Sequence, residues 1–423
     1  MLMYKDLSFD ELTQLENEIK KQYEDFKSQN LKLDMSRGKP CLEQLELSKG
    51  MLDTINSKSS LISKDGIDCL NYGGVDGLKE TKEFFSQLLD VPFANVIVGG
   101  NSSLTMMFDY ISQCYLRGSG GKPWGKMDKV KFLCPVPGYD RHFAICEYFG
   151  IEMVNVPMLS TGPDMDIVEE LVKDDAVKGM VCVPKYSNPT GVTYSDDTVK
   201  RLSAMETASD FRIIWDNAYC IHHLSSNHDS LLDLLGECKN AGNPDRAIMV
   251  ASLSKVTFPG SGVAVLAASE NNIKMIKERL SVQTIGPDKI NQIRHTEFFD
   301  GIDNVHKHME KHAQIIAPRF DVVLKAFNKE LRPHGIASWE EPNGGYFISL
   351  DVLDGCAKRV YELCKDAGVT LTECGATYPY GKDPFDRNIR IAPTFPSVEE
   401  LEKATQLLCV CVKLASIEKL KMI

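Results

Sequence analysis

In Phe211-Arg-Ile-Ile-Trp-Asp216-Asn-Ala-Tyr219 an apolar run of strand length stops on an aspartate; in Ala247-Ile-Met-Val-Ala-Ser252-Leu-Ser-Lys255 a second stops on serines and a lysine. Runs this short, and apolar at nearly every position, suit strands covered on both faces. The same unit recurs outward. Residues 96–98, 130–134, 153–156 and 179–183 read as strands upstream, and 263–268 reads as one downstream. Helical patterns separate them, at 102–117, at 139–149, near Asp166 and from about Asp196. The alternation predicts an α/β large domain over residues 49–300, built on a mostly parallel seven-stranded sheet.

The flanks have a different texture. Ser8-Phe-Asp-Glu11 has capping-box spacing, and Leu12, Leu15, Ile19, Tyr23 and Phe26 then share a helix face. An irregular arm follows over 33–40. Beyond residue 300 come a long helical region (305–331), a strand at 345–350, a helix near Cys356, a strand at 387–391 and a last helix from Ser397. This predicts a smaller α+β domain over 301–423, with residues 1–48 as an N-terminal arm and part of that small domain. His306-Lys-His-Met-Glu-Lys-His312 reads as a solvated helix face rather than a zinc site, since no third ligand is spaced nearby. His222-His223 reads as loop or as support for the Asp216 motif.

Composition narrows the function. The 423 residues are 43% hydrophobic and 25% charged, the proportions of a globular protein of about two domains. Forty-eight Lys+Arg against 59 Asp+Glu leave a net charge of -11, a poor match for nucleic acid or an anionic membrane. No apolar run reaches the ~18 residues of a membrane span, and the start carries no signal-peptide pattern. The 13 cysteines are an odd number without a CxxC pair, as expected of reduced core thiols in the cytoplasm.

In an open α/β sheet, ligands sit beyond the carboxyl ends of the strands. The predicted strand ends carry Asn101-Ser102-Ser103 at a helix start, Asn188-Pro-Thr-Gly191, Asp216 with Tyr219, and Ser252-Leu-Ser254-Lys255. Singly, each has an ordinary reading: a surface lysine, a turn aspartate, a turn signal, a helix cap. Together, on successive strand ends, they place an amine, a carboxylate, an amide, a phenol and an anion-binding helix start on one rim.

Asn188-Pro-Thr-Gly, Asp216-x-Ala-Tyr219, Ser252-x-Ser-Lys255 and Arg387-Asn-Ile-Arg390 resemble, in this order, the signature of class I/II aminotransferases, the fold-type I pyridoxal-phosphate enzymes. Tyr72-Gly-Gly-Val-Asp-Gly-Leu78 and Arg37-Gly-Lys-Pro40 resemble two further family segments, so the likeness spans nearly the whole chain. Ser36-Arg-Gly-Lys-Pro, Ile285-Gly-Pro-Asp-Lys289 and the run from Ser254 to Val263 are similar to the aspartate aminotransferase branch related to the effector domains of MocR-type regulators.

The resemblance implies roles. Lys255 would hold pyridoxal phosphate as a Schiff base and then move the substrate proton. Asp216 would keep the ring nitrogen protonated. Asn188 and Tyr219 would bond the ring's phenolic oxygen. Asn101, Ser102, Ser103, Ser252 and Ser254 would meet the phosphate. Arg390 and the amide of Gly38 would take the substrate α-carboxylate. Tyr139 would stack on the ring, Val136 standing where many relatives have the aromatic. Tyr72 would reach the phosphate of a partner subunit, implying a homodimer with shared sites. The substrates implied are an amino acid and a 2-oxo acid, best matched by aspartate and 2-oxoglutarate. Arg37, Arg141, Lys289 and Arg294 are candidates for a distal carboxylate.

One departure stands out. Relatives carry a phosphate-binding arginine in a Pro-Gly-x-Arg context, where this chain has Pro259-Gly-Ser-Gly262. Rival readings are a lyase or decarboxylase of the same fold, and a non-catalytic cofactor-binding regulator, for which the pattern leaves no attached DNA-binding domain. Ser252-x-x-Lys255 also mimics a penicillin-binding motif, but no Lys-Thr-Gly follows.

Overall fold

Seven apolar runs pair into one sheet because every second side chain must be buried on each face. In the computed structural model, which describes residues 3–422, the strands in chain order are β1 (Leu33–Asp34), β2 (Val96–Val98), β3 (Lys131–Val136), β4 (Glu152–Leu159), β5 (Gly162–Pro163), β6 (Val177–Cys182), β7 (Arg212–Asp216), β8 (Ala247–Ser252), β9 (Ala264–Ala268), β10 (Ala337–Trp339), β11 (Ile348–Val352), β12 (Val369–Thr370) and β13 (Asn388–Ile391). Met1, Leu2 and Ile423, the ends of the expected first and last segments, lie outside the described residues.

The large sheet runs β2-β9-β8-β7-β6-β3-β4-β5. Strands β3, β4, β6, β7 and β8 are mutually parallel. Strand β9 is antiparallel to both β8 and β2, so β2 points with the parallel set. The seven expected strands are all present. An eighth, β5, folds back on β4 over two residues, too short to leave a periodic signal. Ile213 and Trp215 enter one apolar layer and Ile214 the other, which is why β7 reads as continuously apolar.

The second body is an antiparallel sheet, β10-β11-β13, packed with the helices Ile302–Glu330 and Val398–Leu420. Helix Phe9–Lys27 joins this core through Leu12, Ile19 and Tyr23. Its start is closed by the capping box, with the Glu11 amide donating to Ser8 Oγ at 3.3 Å and the Ser8 amide donating to Glu11 Oε2 at 2.8 Å. The arm after it lies along the same body. Strand β1 pairs with β12, the Ala392 amide donates to the Met35 carbonyl at 2.9 Å, and Thr394 Oγ1 donates to the Lys39 carbonyl at 3.1 Å.

The solvated-face reading of 306–312 requires correction. His306, Lys307, Glu310 and Lys311 are exposed, but His308 and His312 are buried at 7% and 1% exposure. They share the helix stripe of Val305, Met309 and Ile316, so the stripe and not the surrounding charge sets their side. Among the described residues all cysteines are free thiols, Cys134, Cys182 and Cys409 buried, and no helix is long and apolar enough to cross a membrane.

Candidate active site

Parallel strands present their carboxyl ends on one side, and the loops that leave β2, β3, β6, β7 and β8 meet there. Asp216 is the last residue of β7 and is 2% exposed. Its Oδ2 lies 2.9 Å from His142 Nε2, while its buried Oδ1 has no hydrogen-bond partner among the described residues. An orphaned carboxylate oxygen at this depth is costly unless a donor arrives.

Lys255 sits just beyond β8, with Nζ 4.8 Å from the centre of the Tyr219 ring and 6.0 Å from that of Tyr346. Loss of water around the amine pushes its pKa below the ordinary lysine value, and the negative charge of Asp216 offsets part of that. Tyr219, 2% exposed, has its phenol pushed up by burial. Tyr139 directly precedes the helix Asp140–Tyr148 and stands edge-on to His142, with ring centres 4.9 Å apart. Burial, then the charge of Asp216, raises its phenol to about 12.

Asn188 lies in a turn closed by the Gly191 amide donating to the Ser187 carbonyl at 2.7 Å. Gly191 has φ +74°, where a side chain is strained, and a Cβ there would fall 2.5 Å from Pro342. Asn188 Oδ1 accepts from Arg390 Nη1 at 3.3 Å. Arg390, on β13, also bonds Asp140 Oδ1 at 2.9 Å, and its guanidinium lies 5.0 Å over the Phe347 ring. Gly38 backs the same ring: a Cβ there would be 2.3 Å from Phe347 Cζ, so only glycine lets the arm come this near. The fork, the arm amide and the Asn188 amide thus border one cleft.

Asn101, Ser102 and Ser103 open the helix Ser103–Arg117, whose first amides no side chain caps. Ser254 Oγ donates to the Asn101 carbonyl at 3.1 Å, and Ser252 Oγ donates to Ser254 Oγ at 3.2 Å. Hydroxyls and open helix amides therefore converge where an anion is favoured. The absent arginine has a steric reason: a Cβ on Gly262 would stand 2.9 Å from Ser254 N and Oγ. Beside this loop, Arg294 Nη2 donates to Ser261 Oγ at 3.1 Å and also to Asn291 Oδ1.

Tyr72 stands apart from the cluster, 81% exposed. Lys289 is engaged with the Gly73 carbonyl at 3.0 Å. Arg37 and Arg141 are exposed. His142, Asp140, Tyr346 and Phe347 were missed by sequence reasoning; for Asp140 and His142 the available signal was a polar first helical turn directly after a strand end. His222, 1% exposed, has both ring nitrogens without a hydrogen-bond partner among the described residues and meets the Tyr219 and Tyr346 rings edge-on. Among the described residues no group of three or more His, Cys, Asp or Glu could hold a metal ion.

A family model described as aspartate amino-transferase matches residues 7–422. The chain belongs to this aspartate aminotransferase family. It is 47% identical to a putative aminotransferase of Mycolicibacterium smegmatis over 99% of both chains. It is 46% identical to an aspartate aminotransferase of Corynebacterium glutamicum, over 98% of this chain and 96% of that one. Its structure matches the crystal structure of a C. glutamicum aspartate transaminase with a TM-score of 0.97, at 45% identity and 99% coverage of both chains. The chain is an aminotransferase of fold-type I, and the family's cofactor is pyridoxal phosphate. The residues fit that group. Asp216 Oδ1 lacks a donor, the uncapped helix start with its serines suits a phosphate, and Lys255 is an amine made easier to deprotonate.

Proposed function

We propose that this aminotransferase uses aspartate as amino donor and 2-oxoglutarate as acceptor, as a cytoplasmic homodimer. The observation that carries the reading is one arrangement: Lys255 Nζ over the Tyr219 ring, Asp216 Oδ1 without a donor, and the Arg390 fork at Asn188. Two full-length relatives above 45% identity, one of them named an aspartate aminotransferase, support the choice of substrate.

Bound pyridoxal phosphate supplies an electrophilic aldehyde and a ring that withdraws electrons. The chain's own residues do the rest. Asp216 presents Oδ1 to the ring nitrogen, and His142 on Oδ2 stops the carboxylate from turning away. Asn188 and Tyr219 offer an amide N–H and a phenol to the ring's oxygen. Tyr139 covers a ring face. Asn101, Ser102, Ser103, Ser252 and Ser254 hold the phosphate. Arg390 takes the substrate α-carboxylate as a bidentate fork, with the Gly38 amide beside it. Lys255 Nζ would take the substrate's α-proton and hold it for transfer, a task its lowered pKa favours. Arg37, exposed and next to Gly38, serves the distal carboxylate.

The dimer reading is supported by exposed apolar residues on one loop and on a helix end with the segment that follows it. Leu70 and Tyr72 are 70% and 81% exposed, and Val282 and Ile285 are 87% and 60% exposed. Gly286 lies so close to the first loop that a Cβ there would be 2.6 Å from the Gly73 carbonyl. Exposed apolar residues on neighbouring segments are ones that a second copy would cover, carrying Tyr72 toward the other site.

The test is a panel of amino donors with 2-oxoglutarate and purified, cofactor-loaded protein. Aspartate is expected to give the highest kcat/KM, with oxaloacetate as product. No amino transfer from any donor would overturn the reading, and a monocarboxylic donor outranking aspartate would overturn the substrate.

A further inference from the structure

Against the backbone of the Lys255 loop lies a buried polar cluster that the chemistry above does not use. Gln44, from the helix Leu42–Leu47, His308 and His312 are buried to 0%, 7% and 1% exposure, and Tyr346, just before β11, to 0%. Their bonds fix one another's protons. The Cys41 amide donates to Gln44 Oε1 at 3.1 Å, which turns Gln44 Nε2 toward Tyr346 OH and His312 Nδ1, both at 2.9 Å. His312 Nδ1 is therefore an acceptor and its proton sits on Nε2. His308 Nε2 faces the Val256 carbonyl at 2.9 Å, and His312 Nε2 faces His308 Nε2 at 3.1 Å, so His312 backs His308 rather than meeting the carbonyl itself. Ser48 Oγ adds a contact to that oxygen at 3.4 Å. Tyr346 OH donates to the Lys255 carbonyl at 3.4 Å. One residue on, Thr257 Oγ1 meets His295 Nε2 at 2.9 Å. Three consecutive residues of the lysine loop are thus gripped from the N-terminal arm, the helices Lys289–Phe299 and Ile302–Glu330, and the small domain.

We propose that Tyr346, Gln44, His308 and His312 are positioning residues that pin the Lys255 and Val256 carbonyls and so set where Lys255 Nζ stands when it moves a proton. The inference rests on the role given to Lys255 above. Proton transfer needs the amine within hydrogen-bond reach of the reacting carbon, and an error of about 1 Å can cost ~100-fold. Neutral imidazoles suit the task, because they hold a peptide without adding a cation beside the amine. Burial, and then the neighbouring His308, hold His312 down to about 3, so it stays neutral at working pH.

The test uses the cofactor-loaded dimer and two variants, Tyr346→Phe and His312→Leu, with His312→Gln as the conservative control. Tyr346→Phe keeps the ring and deletes the hydroxyl's two bonds, to the Lys255 carbonyl and from Gln44 Nε2. Its kcat is expected to fall ~3–10-fold with KM for the amino donor within about twofold, since the lost hydrogen bond to the Lys255 carbonyl is worth about 1 kcal/mol. The visible band of the bound cofactor should titrate at a shifted pH. His312→Leu should lower kcat ~10–100-fold, as expected of a misplaced base, with partial rescue by His312→Gln. The double variant should be no slower than His312→Leu, because both act through one peptide. A Tyr346→Phe enzyme whose kcat and band titration coincide with wild type overturns the proposal, whether or not His312→Leu folds. So does multiplication of the two single effects. If wild type transfers no amino group, the aminotransferase reading fails by itself, and the band titration still decides the anchor.

Discussion

The cleft around Lys255 Nζ and the cluster around the backbone of its loop use similar side chains in opposite states. On the cleft side, Asp216 keeps one oxygen without a donor and the helix at Ser103 is left uncapped. In the cluster, Gln44, His308, His312 and Tyr346 bond one another and two peptide carbonyls. Buried polar groups are normally paired, so an unpaired one at a strand end marks a surface awaiting a ligand, and a saturated one marks scaffold. The contrast separates residues that act on substrate from residues that hold those that do.

Substitutions on the cleft side should therefore cost chemistry and leave the fold intact. The largest effect is expected from Lys255→Ala: turnover falls by at least ~10⁴-fold, because nucleophile and proton carrier vanish together, while the circular-dichroism melt stays close to wild type. Unchanged turnover would end the assignment. Asp216→Asn keeps the shape but removes the charge; kcat is expected to fall ~10²–10³-fold, as for loss of one preorganised electrostatic partner, with cofactor still bound at saturating concentration. Arg390→Lys should raise KM for the donor ~10–100-fold, since a fork becomes a point charge, and kcat should change less.

The cluster should answer to acid instead. His312 is depressed to about 3 and His295 to about 4, in both cases mainly by burial. Below the ordinary histidine value of about 6.5 the unfolded chain binds protons that the native state refuses. Stability from these groups is thus complete above that pH and is lost as pH falls toward 4 and then 3, by up to about 1.4 kcal/mol per pH unit for each histidine. Denaturant melts from pH 7 to 4 check this, and His312→Gln should flatten the slope. The smallest effect belongs to the cleft again. Asp140 holds Arg390 from a partly exposed position, so Asp140→Asn should raise donor KM by only about two- to fivefold.

Much of this was legible in the residue order. Strands covered on both faces leave apolar runs, and the residues that stop those runs, Asp216 and Ser252, mark the rim. The unread parts have local causes. Strand β5 is two residues long, and β1 is another pair that gains its partner only from far along the chain. His142 looked like any residue of a short amphipathic helix, because nothing adjacent betrays that it ends beside Asp216. His308 and His312 were misjudged because Lys307, Glu310 and Lys311 dominate the local charge, while the apolar stripe beneath is set by spacing.

The pairing of β1 with β12 has a consequence for biosynthesis. Ser36 meets Thr372, 336 positions later, and Gly38 reaches its seat only when Phe347 exists. At ribosomal speeds of ~5–20 residues per second, the arm waits roughly 20–70 s for its partners. A nascent chain can form the large sheet during that interval, but it cannot clasp a substrate carboxylate until its final sixth has emerged.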